Sequence, residues 1–242
     1  MNCILFPEDA PLTLSPDSPK LEHIKKVLRA PEGGEIYAGH INGALNVCKI
    51  SYTPDGGAIL TPARNIAVPR QLNVSIAVSY ARPQIAQRLL FESACFGVKK
   101  LVFYPASKGE AGYAKSSLYT SGEYLKWFER GAEQACATQI PEFEYAESLE
   151  RALEMLDDAD EINNTKLAPD IYEAEASFAE AFSTYNPMKD DHTSIVLGSE
   201  RGWTNADRQL LRDNQYVLVS LGERVLRTDT ALIATLSLIA NL

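Results

Sequence analysis

"VLGSERGWTNADRQLL", Val196 to Leu211, carries the most information about how this chain folds. It opens on the end of an apolar strand, passes through a loop bracketed by Gly198 and Gly202, and closes on a helix. Thr204 is suited to cap that helix, with Asp207 three residues on in a variant capping box. A second stretch repeats the pattern. "QYVLVSLGERVLRTDTALIATLSLIANL" ends a strand at Ser220, Leu221 and Gly222 and enters a last helix. Thr228 can cap that helix, and Asp229 favours its first turn. Ligands of open α/β sheets bind outside the carboxyl ends of strands. Two adjacent apolar strands ending in glycine loops could therefore form one pocket. Glycine lets backbone polar groups approach a planar ring, and Leu197, Leu221 and Leu226 would wall it. A pair of ordinary strand–helix turns has the same spacing, so the pattern alone leaves both readings open.

Working outward, the same alternation runs back to Asn73. "NVSIAVSYA", "KKLVFYPA", part of "TKLAPDIYEAEA", "HTSIVLGSE" and "QYVLVSLG" read as strands. "QIAQRLLFESACFG" reads as a helix stopped by Gly97, and "LYTSGEYLKWFERGAEQACAT" as one longer helix despite two glycines. Strands alternating with helices predict an α/β domain with a mainly parallel sheet covered on both faces. "TPARNIAVPRQL" looks like a connector. Residues 1–70 look β-rich, with hairpin turns at Asn42-Gly43 and Asp55-Gly56. Within them "SPKLEHIKKVLRA" reads as a short amphipathic helix with Leu21, Ile24, Val27 and Leu28 on one face. Lys20, His23, Lys25, Lys26 and Arg29 lie opposite. They are either a solvated face or a phosphate-contact surface.

Several classes are disfavoured. No run of 18 apolar residues exists, so no membrane span is expected. "MNCILFPEDAPL" has no basic segment and no long apolar run, so it does not read as a signal peptide. Cys3, Cys48, Cys95 and Cys136 are widely spaced and the three histidines are isolated, so no metal site is expected and reduced cytosolic thiols are. The net charge of −9 argues against nucleic acid. Yet residues 142–191 hold 15 acidic and 3 basic residues, so the remaining chain is net positive and a basic face is allowed. "SYARPQ" stands where a dinucleotide-binding GxGxxG would follow the first strand, and "GSERG" lacks the Lys-Ser/Thr of a Walker A loop. Ser199 does not lie in a GxSxG elbow, and as a nucleophile it would need a base such as His192.

"LGSERGWTNAD" followed by "VSLGERVLRTDTALIATLSLI" resembles the RsmE family of ribosomal RNA methyltransferases, which carries GPEGG-F-S/T and then SLG-x-R-I-LR-x-ETA. "HIKKVLRA" and "GAEQACATQIPEF" resemble two further family segments, in the same order. The resemblance implies a PUA-like β-barrel over residues 1–70 and a SPOUT-type α/β domain over 71–242 with a deep C-terminal trefoil knot. It implies a cytoplasmic homodimer that binds S-adenosyl-L-methionine and methylates N3 of a uridine in 16S ribosomal RNA, with the small ribosomal subunit as partner. By matching position, the cofactor loops are Leu197, Gly198, Ser199, Glu200 and Gly202, then Ser220, Leu221 and Gly222, then Val225, Leu226, Arg227, Thr228 and Thr230. Uridine N3–H is weakly acidic, so a positive group should stabilise the developing oxyanion. Arg227 and Arg201 are the candidates. Arginine cannot act as the base, which leaves Glu200 as the local proton acceptor to test, or as a structural partner for Arg201. His23, Lys26, Arg29, Arg82 and Arg88 are the candidate RNA contacts.

The chain also departs from the family pattern. GPEGG has become GSERG, with Ser199 for proline and Arg201 for glycine. The family's Ser-Glu-Arg segment reads "ASKGEAGYAKSS", leaving Lys108 and Lys115 as cations, and its helical lysine is replaced within "RLLFESACFG", where Arg88 and Glu92 could stand in. The cofactor-facing motif is kept and substrate-facing positions differ. A paralogue acting on another RNA, a non-catalytic RNA-binding or assembly factor, and a small-molecule methyltransferase or hydrolase are the alternatives.

Overall fold

The computed structural model describes residues 2–110, 112–157, 164–185 and 191–241. The chain forms two units: Met1–Arg70 with Glu129–Ile140, and Gln71–Phe128 with Pro141–Leu242. The return of 129–140 to the first unit has no signature in the linear sequence.

In the first unit, β1 (Cys3–Phe6), β2 (Thr13–Leu14), β3 (Glu35–His40), β4 (Leu45–Tyr52) and β5 (Ala58–Ile66) form one sheet in the order β1-β3-β4-β5-β2. Of its pairings, β1–β3 is parallel and the others are antiparallel. The β3–β4 hairpin turns at Asn42, whose φ of 58° is one asparagine tolerates. The expected connector is half wrong: β5 continues through Pro62 to Ile66. A register shift between Val47 and Cys48 lies opposite Pro62, where the ladder lacks an amide donor.

The helix α1 (Pro19–His23) continues as a π-helical turn, Ile24–Leu28. Leu21 and Ile24 are buried with Ile36, Ile50 and Leu60, and Leu28 packs against them. Val27 is not on that face and is 64% exposed. An i→i+5 turn carries more residues per revolution than the 3.6 of an α-helix, which swings position 27 past the sheet. The basic face is largely engaged within its own unit. Lys20 Nζ donates to the Leu5 carbonyl and to Glu129, and lies 3.2 Å from Glu133. Lys25 donates to the Gly56 carbonyl at 3.0 Å, and Lys26 pairs with Glu22 at 2.5 Å.

The second unit contains β6 (Leu72–Ser79), α2 (Pro83–Phe96), β7 (Val98–Tyr104), α3 (Ser117–Thr120), the start of α4 (Tyr124–Ala135), β8 (Glu142–Tyr145) and α5 (Leu149–Leu156). It continues with β9 (Asn164–Pro169), β10 (Ala176–Ser177), α6 (Phe178–Tyr185), β11 (His192–Leu197), α7 (Asn205–Asp213), β12 (Val217–Ser220) and α8 (Thr228–Asn241). Its seven-stranded sheet has the order β10-β12-β9-β11-β6-β7-β8 and is parallel throughout. Every residue of β11 is buried, as an apolar strand covered on both faces requires.

Three expectations change here, and one stretch gains elements. The single helix over 118–138 is two, because Gly122 takes a φ of 76° between α3 and α4, while Gly131 stays helical. The acidic stretch also carries β8, α5 and α6, and apolar residues of the two helices are buried beneath its charges. Its residues 158–163 and 186–190 lie outside the described residues. Thr228 is the first residue of α8 and not its cap; the Arg227 carbonyl accepts the Ala231 N–H at 2.8 Å. Finally, β11 and β12 are not neighbours, because β9 pairs with both and lies between them.

Candidate active site

That insertion of β9 brings a further loop, after β9, to meet those after β11 and β12 at the carboxyl edge of the sheet. The first follows β11. A Cβ on Gly198 would lie 3.1 Å from the Trp203 indole, so glycine is needed where the buried ring folds back under the loop. The Trp203 Nε1 donates to the Pro169 carbonyl at 3.0 Å, which ties this loop to the end of β9. Ser199 closes the turn that proline would otherwise fix. Its carbonyl accepts the Gly202 N–H at 2.8 Å and its Oγ accepts the Arg201 N–H at 3.3 Å. Gly202 has a φ of 68°, a conformation glycine adopts freely.

The loop is held from below as well. Thr204 and Asp207 make the expected reciprocal capping box, at 3.0 and 2.9 Å. Asp207 also accepts from Ser107 Oγ at 2.7 Å, and Lys108 donates to the Trp203 carbonyl at 2.7 Å. Tyr104, at the end of β7, donates its hydroxyl to the Leu197 carbonyl at 3.0 Å. Burial, aided by the Asp207 charge, pushes this phenol well above its ordinary value, so it remains a donor.

The second loop follows β12. Ser220 Oγ accepts the Gly222 N–H at 3.0 Å and lies 3.2 Å from the Gly222 carbonyl, shaping a turn in which Gly222 has a φ of 113°. The third loop, Pro169 to Tyr172, follows β9 and is not among the loops expected from the sequence. Asp170 anchors it: Arg208 Nε lies 2.5 Å from Oδ2, and the two side chains are buried against each other. Burial alone would raise the Asp170 carboxyl, but hydrogen bonds and charge from Arg208 outweigh it and hold the group below its ordinary value.

These loops enclose a cavity of about 190 Å³. Leu197, Gly198, Ser199, Glu200, Gly202, Leu221, Gly222, Val225, Leu226 and Thr228 line it, as the sequence suggested, and Arg201 joins them. Ser220, Arg227 and Thr230 do not. The Ser220 hydroxyl is spent on its own turn, and Thr230 is exposed on the first turn of α8. Asp170, Tyr172, Trp203, Arg224 and Ala231 line it in addition. About thirty residues separate β9 from the glycine loop, so only the parallel pairing brings Asp170 here.

A groove of about 330 Å³ adjoins the cavity, lined by Arg82, Gln84, Ile85, Lys108, Glu110, Tyr113, Glu200, Arg201 and Arg227. Glu200 and Arg201 border both spaces. The three expected catalytic residues therefore converge. Arg82 joins them, its Nε donating to the Tyr113 hydroxyl at 3.0 Å. Arg88 does not line the groove; it is tied at 3.2 Å to Asp229, the second residue of α8. His23, Lys26 and Arg29 belong to the first unit. His192 is buried with its Nε2 2.9 Å from Ser75 Oγ, so it is not placed to activate Ser199. Among the described residues no cluster of His, Cys, Asp or Glu is arranged to hold a metal, and no helix is long and apolar enough to cross a membrane.

An apolar-walled cavity rimmed by backbone polar groups, opening onto a groove with four cations, can hold a planar cofactor beside an anionic polymer. Comparison with known proteins agrees with that chemistry. The family model described as an RNA methyltransferase domain matches residues 68–240. Ribosomal RNA small subunit methyltransferase E of Treponema pallidum is 27% identical, covering 99% of this chain and 90% of its own. The protein of the same name from Bacillus subtilis is 25% identical, covering 96% and 91%. Among solved structures, a methyltransferase from Legionella pneumophila with bound SAM superposes with a TM-score of 0.78 at 21% identity, over 100% of this chain and 97% of the other. A ribosomal RNA small subunit methyltransferase E from Neisseria gonorrhoeae, bound to S-adenosyl methionine, gives 0.74 at 20% identity, over 100% and 97%. At these identities the structural likenesses establish the fold.

Proposed function

This chain belongs to the RNA methyltransferase domain family, and from that premise we propose that it is an S-adenosylmethionine-dependent enzyme methylating N3 of a uridine in 16S ribosomal RNA. The observation that carries the reading is the shared wall. Glu200 and Arg201 border a cofactor-sized cavity on one side and a cationic groove on the other.

The residues fit the cofactor. Gly202 and Gly222 have open space where a Cβ would stand, and Gly198 allows Trp203 to close the floor. Leu197, Leu221 and Leu226 supply apolar walls for an adenine ring, and Arg224 is a cation for its carboxylate. When bound, the cofactor supplies an electrophilic methyl group. The chain's own residues do the rest. They exclude water from the transfer site and hold the base in line. Glu200 accepts the N3 proton, and Arg227 stabilises the charge that develops on the uracil oxygens, with Arg201 facing the same groove.

The finer architecture belongs to the same proposal. The first unit is a PUA-like barrel contacting RNA through His23 and Arg29, with Lys26 held by Glu22, and Arg82 and Arg88 add contacts from the second. The second unit is a SPOUT domain whose last helix threads a trefoil knot. The working form is a cytoplasmic homodimer acting on the small ribosomal subunit. Mass spectrometry of ribosomal RNA from cells with and without the gene tests the reaction. One methyl group missing from a single 16S uridine is expected, and an unchanged 16S pattern would sink the assignment.

A further inference from the structure

Arg201 and Arg227 border one groove on different terms. Arg227 is tethered. Its Nε lies 3.5 Å from Oδ1 of Asp229, a buried carboxylate that also holds Arg88. A cation fixed in this way suits a charge that appears only during reaction. Arg201 sits exposed on the turn before Gly202, and the described residues offer its guanidinium no ion pair or hydrogen bond. Its full fork of donors is available to something outside the chain.

Arg82 faces the same groove from the start of α2. Its Nε is held by the Tyr113 hydroxyl, and the nearby Glu200 and Glu110 charges add to Tyr113 in keeping it protonated. Gln84 and Ile85, in the first turn of the 14-residue helix α2, line the groove beside it. The helix adds its partial positive charge at this end. With Arg82, Lys108, Arg201 and Arg227 set against Glu110 and Glu200, the groove is cationic in a chain whose net charge is −9. Lys108 is already bound to the Trp203 carbonyl.

We propose that Arg82 and Arg201 form a seat for an RNA backbone phosphate next to the target nucleotide, with Tyr113 as the positioning residue for Arg82, while Arg227 faces the reacting base. This division of labour rests on the methyltransferase reading above. Guanidinium forks match the geometry of phosphate oxygens, and two of them on one groove fix the register of a strand without reading its sequence. Arg82 lines only the groove, whereas Glu200 and Arg201 also border the cofactor cavity, so the phosphate lies on the Arg82 side of Arg201 and the base is directed toward the methyl group.

The test uses the full-length protein and a fluorescent 20-nucleotide oligouridine, titrated over a series of salt concentrations. For a single strand, the slope of log K against log salt changes by about 0.7 for each phosphate that the protein no longer neutralises. Arg82→Ala and Arg201→Ala are each expected to flatten the slope by about that amount, and Arg151→Ala, on the exposed face of α5, to leave it unchanged. With small ribosomal subunits from cells lacking the gene, Arg201→Ala and Tyr113→Phe should raise KM with kcat kept, whereas Arg227→Ala should lower kcat. Oligouridine binding that is absent in the wild type, slopes that match the wild type in both arginine variants, or an equal flattening in Arg151→Ala would each overturn the phosphate seat. Calorimetry with S-adenosylmethionine on the same samples separates the two layers. Cofactor binding with unaltered slopes removes only the seat, while no cofactor binding by the wild type removes the enzyme reading itself.

Discussion

The basic helix of the first unit and the GSERG loop of the second both carry cations, and they use them in opposite ways. Lys20, Lys25 and Lys26 are each engaged with a carbonyl or carboxylate of their own unit. Arg201 stands on a loop whose backbone bonds are satisfied without it, and its guanidinium is left for the groove. The difference lies in what surrounds each cation. A lysine on a short helix over a small sheet finds acceptors at strand ends and turns. An arginine on a tight glycine turn projects away from all of them. Charge counted along a sequence is thus not charge available to a ligand.

The contrast can be broken most forcefully at the buried ion pair of the loop region. Asp170→Ala leaves the buried Arg208 with only the exposed Glu173 as an ion-pair partner, 3.4 Å away, and should cost about 3 kcal/mol, measured by denaturant unfolding. Asp170→Ala with Arg208→Met should recover much of it. If the single variant were as stable as the wild type, the third loop would not depend on this anchor. Gly222→Val comes next. A β-branched residue at a φ of 113° is strained, by about 1–3 kcal/mol, and the side chain intrudes on the cavity, so S-adenosylmethionine affinity should fall at least about tenfold by calorimetry.

In the first unit, Lys20→Met removes the cation shared by Leu5, Glu129 and Glu133, and a destabilisation of about 1–2 kcal/mol is expected. The pH dependence of the two regions should differ in sign. Asp170 lies below its ordinary value, so its contribution is full above about pH 4 and is lost as pH falls through the depressed value. Burial, only partly offset by Lys20, raises Glu133. Its contribution is full below about pH 4 and is lost as pH rises through the elevated value. Asp170→Asn and Glu133→Gln should therefore flatten opposite slopes in stability measured from about pH 3 to pH 7. The smallest effect belongs to Lys26→Ala, an exposed i,i+4 pair. No change in stability and less than about a twofold drop in RNA affinity are expected.

Much of the site was legible because it is local. The glycine turns, the Thr204–Asp207 box and the apolar strand before them are short-range patterns, and ten of the cavity residues named from the sequence line it. Ser220 and Thr230 were misplaced because matching a motif does not tell a side chain that faces the ligand from one that shapes the turn. The Asp170 loop was missed because nothing in "TKLAPDIYEAEA" marks which strand it lies beside. The ion pair of Arg88 with Asp229 was missed because an exposed helical arginine carries no sign of a partner 141 residues away.

By itself the sequence determined the alternation of strands and helices, the positions of the tight turns and the Thr204 cap, and the RNA methyltransferase character carried by two loop motifs. The alternation, the turns and the cap follow from propensity, periodicity and backbone sterics, which act over a few residues, and the methyltransferase character follows from the resemblance of the two motifs to a known family. Only the tertiary structure decided that β9 separates β11 from β12, that a third loop closes the cavity, and that Glu200 and Arg201 face two spaces at once. It also decided which cations are free. Strand order and ion pairing depend on which distant segments bury one another, and in this chain those partners lie tens of residues apart.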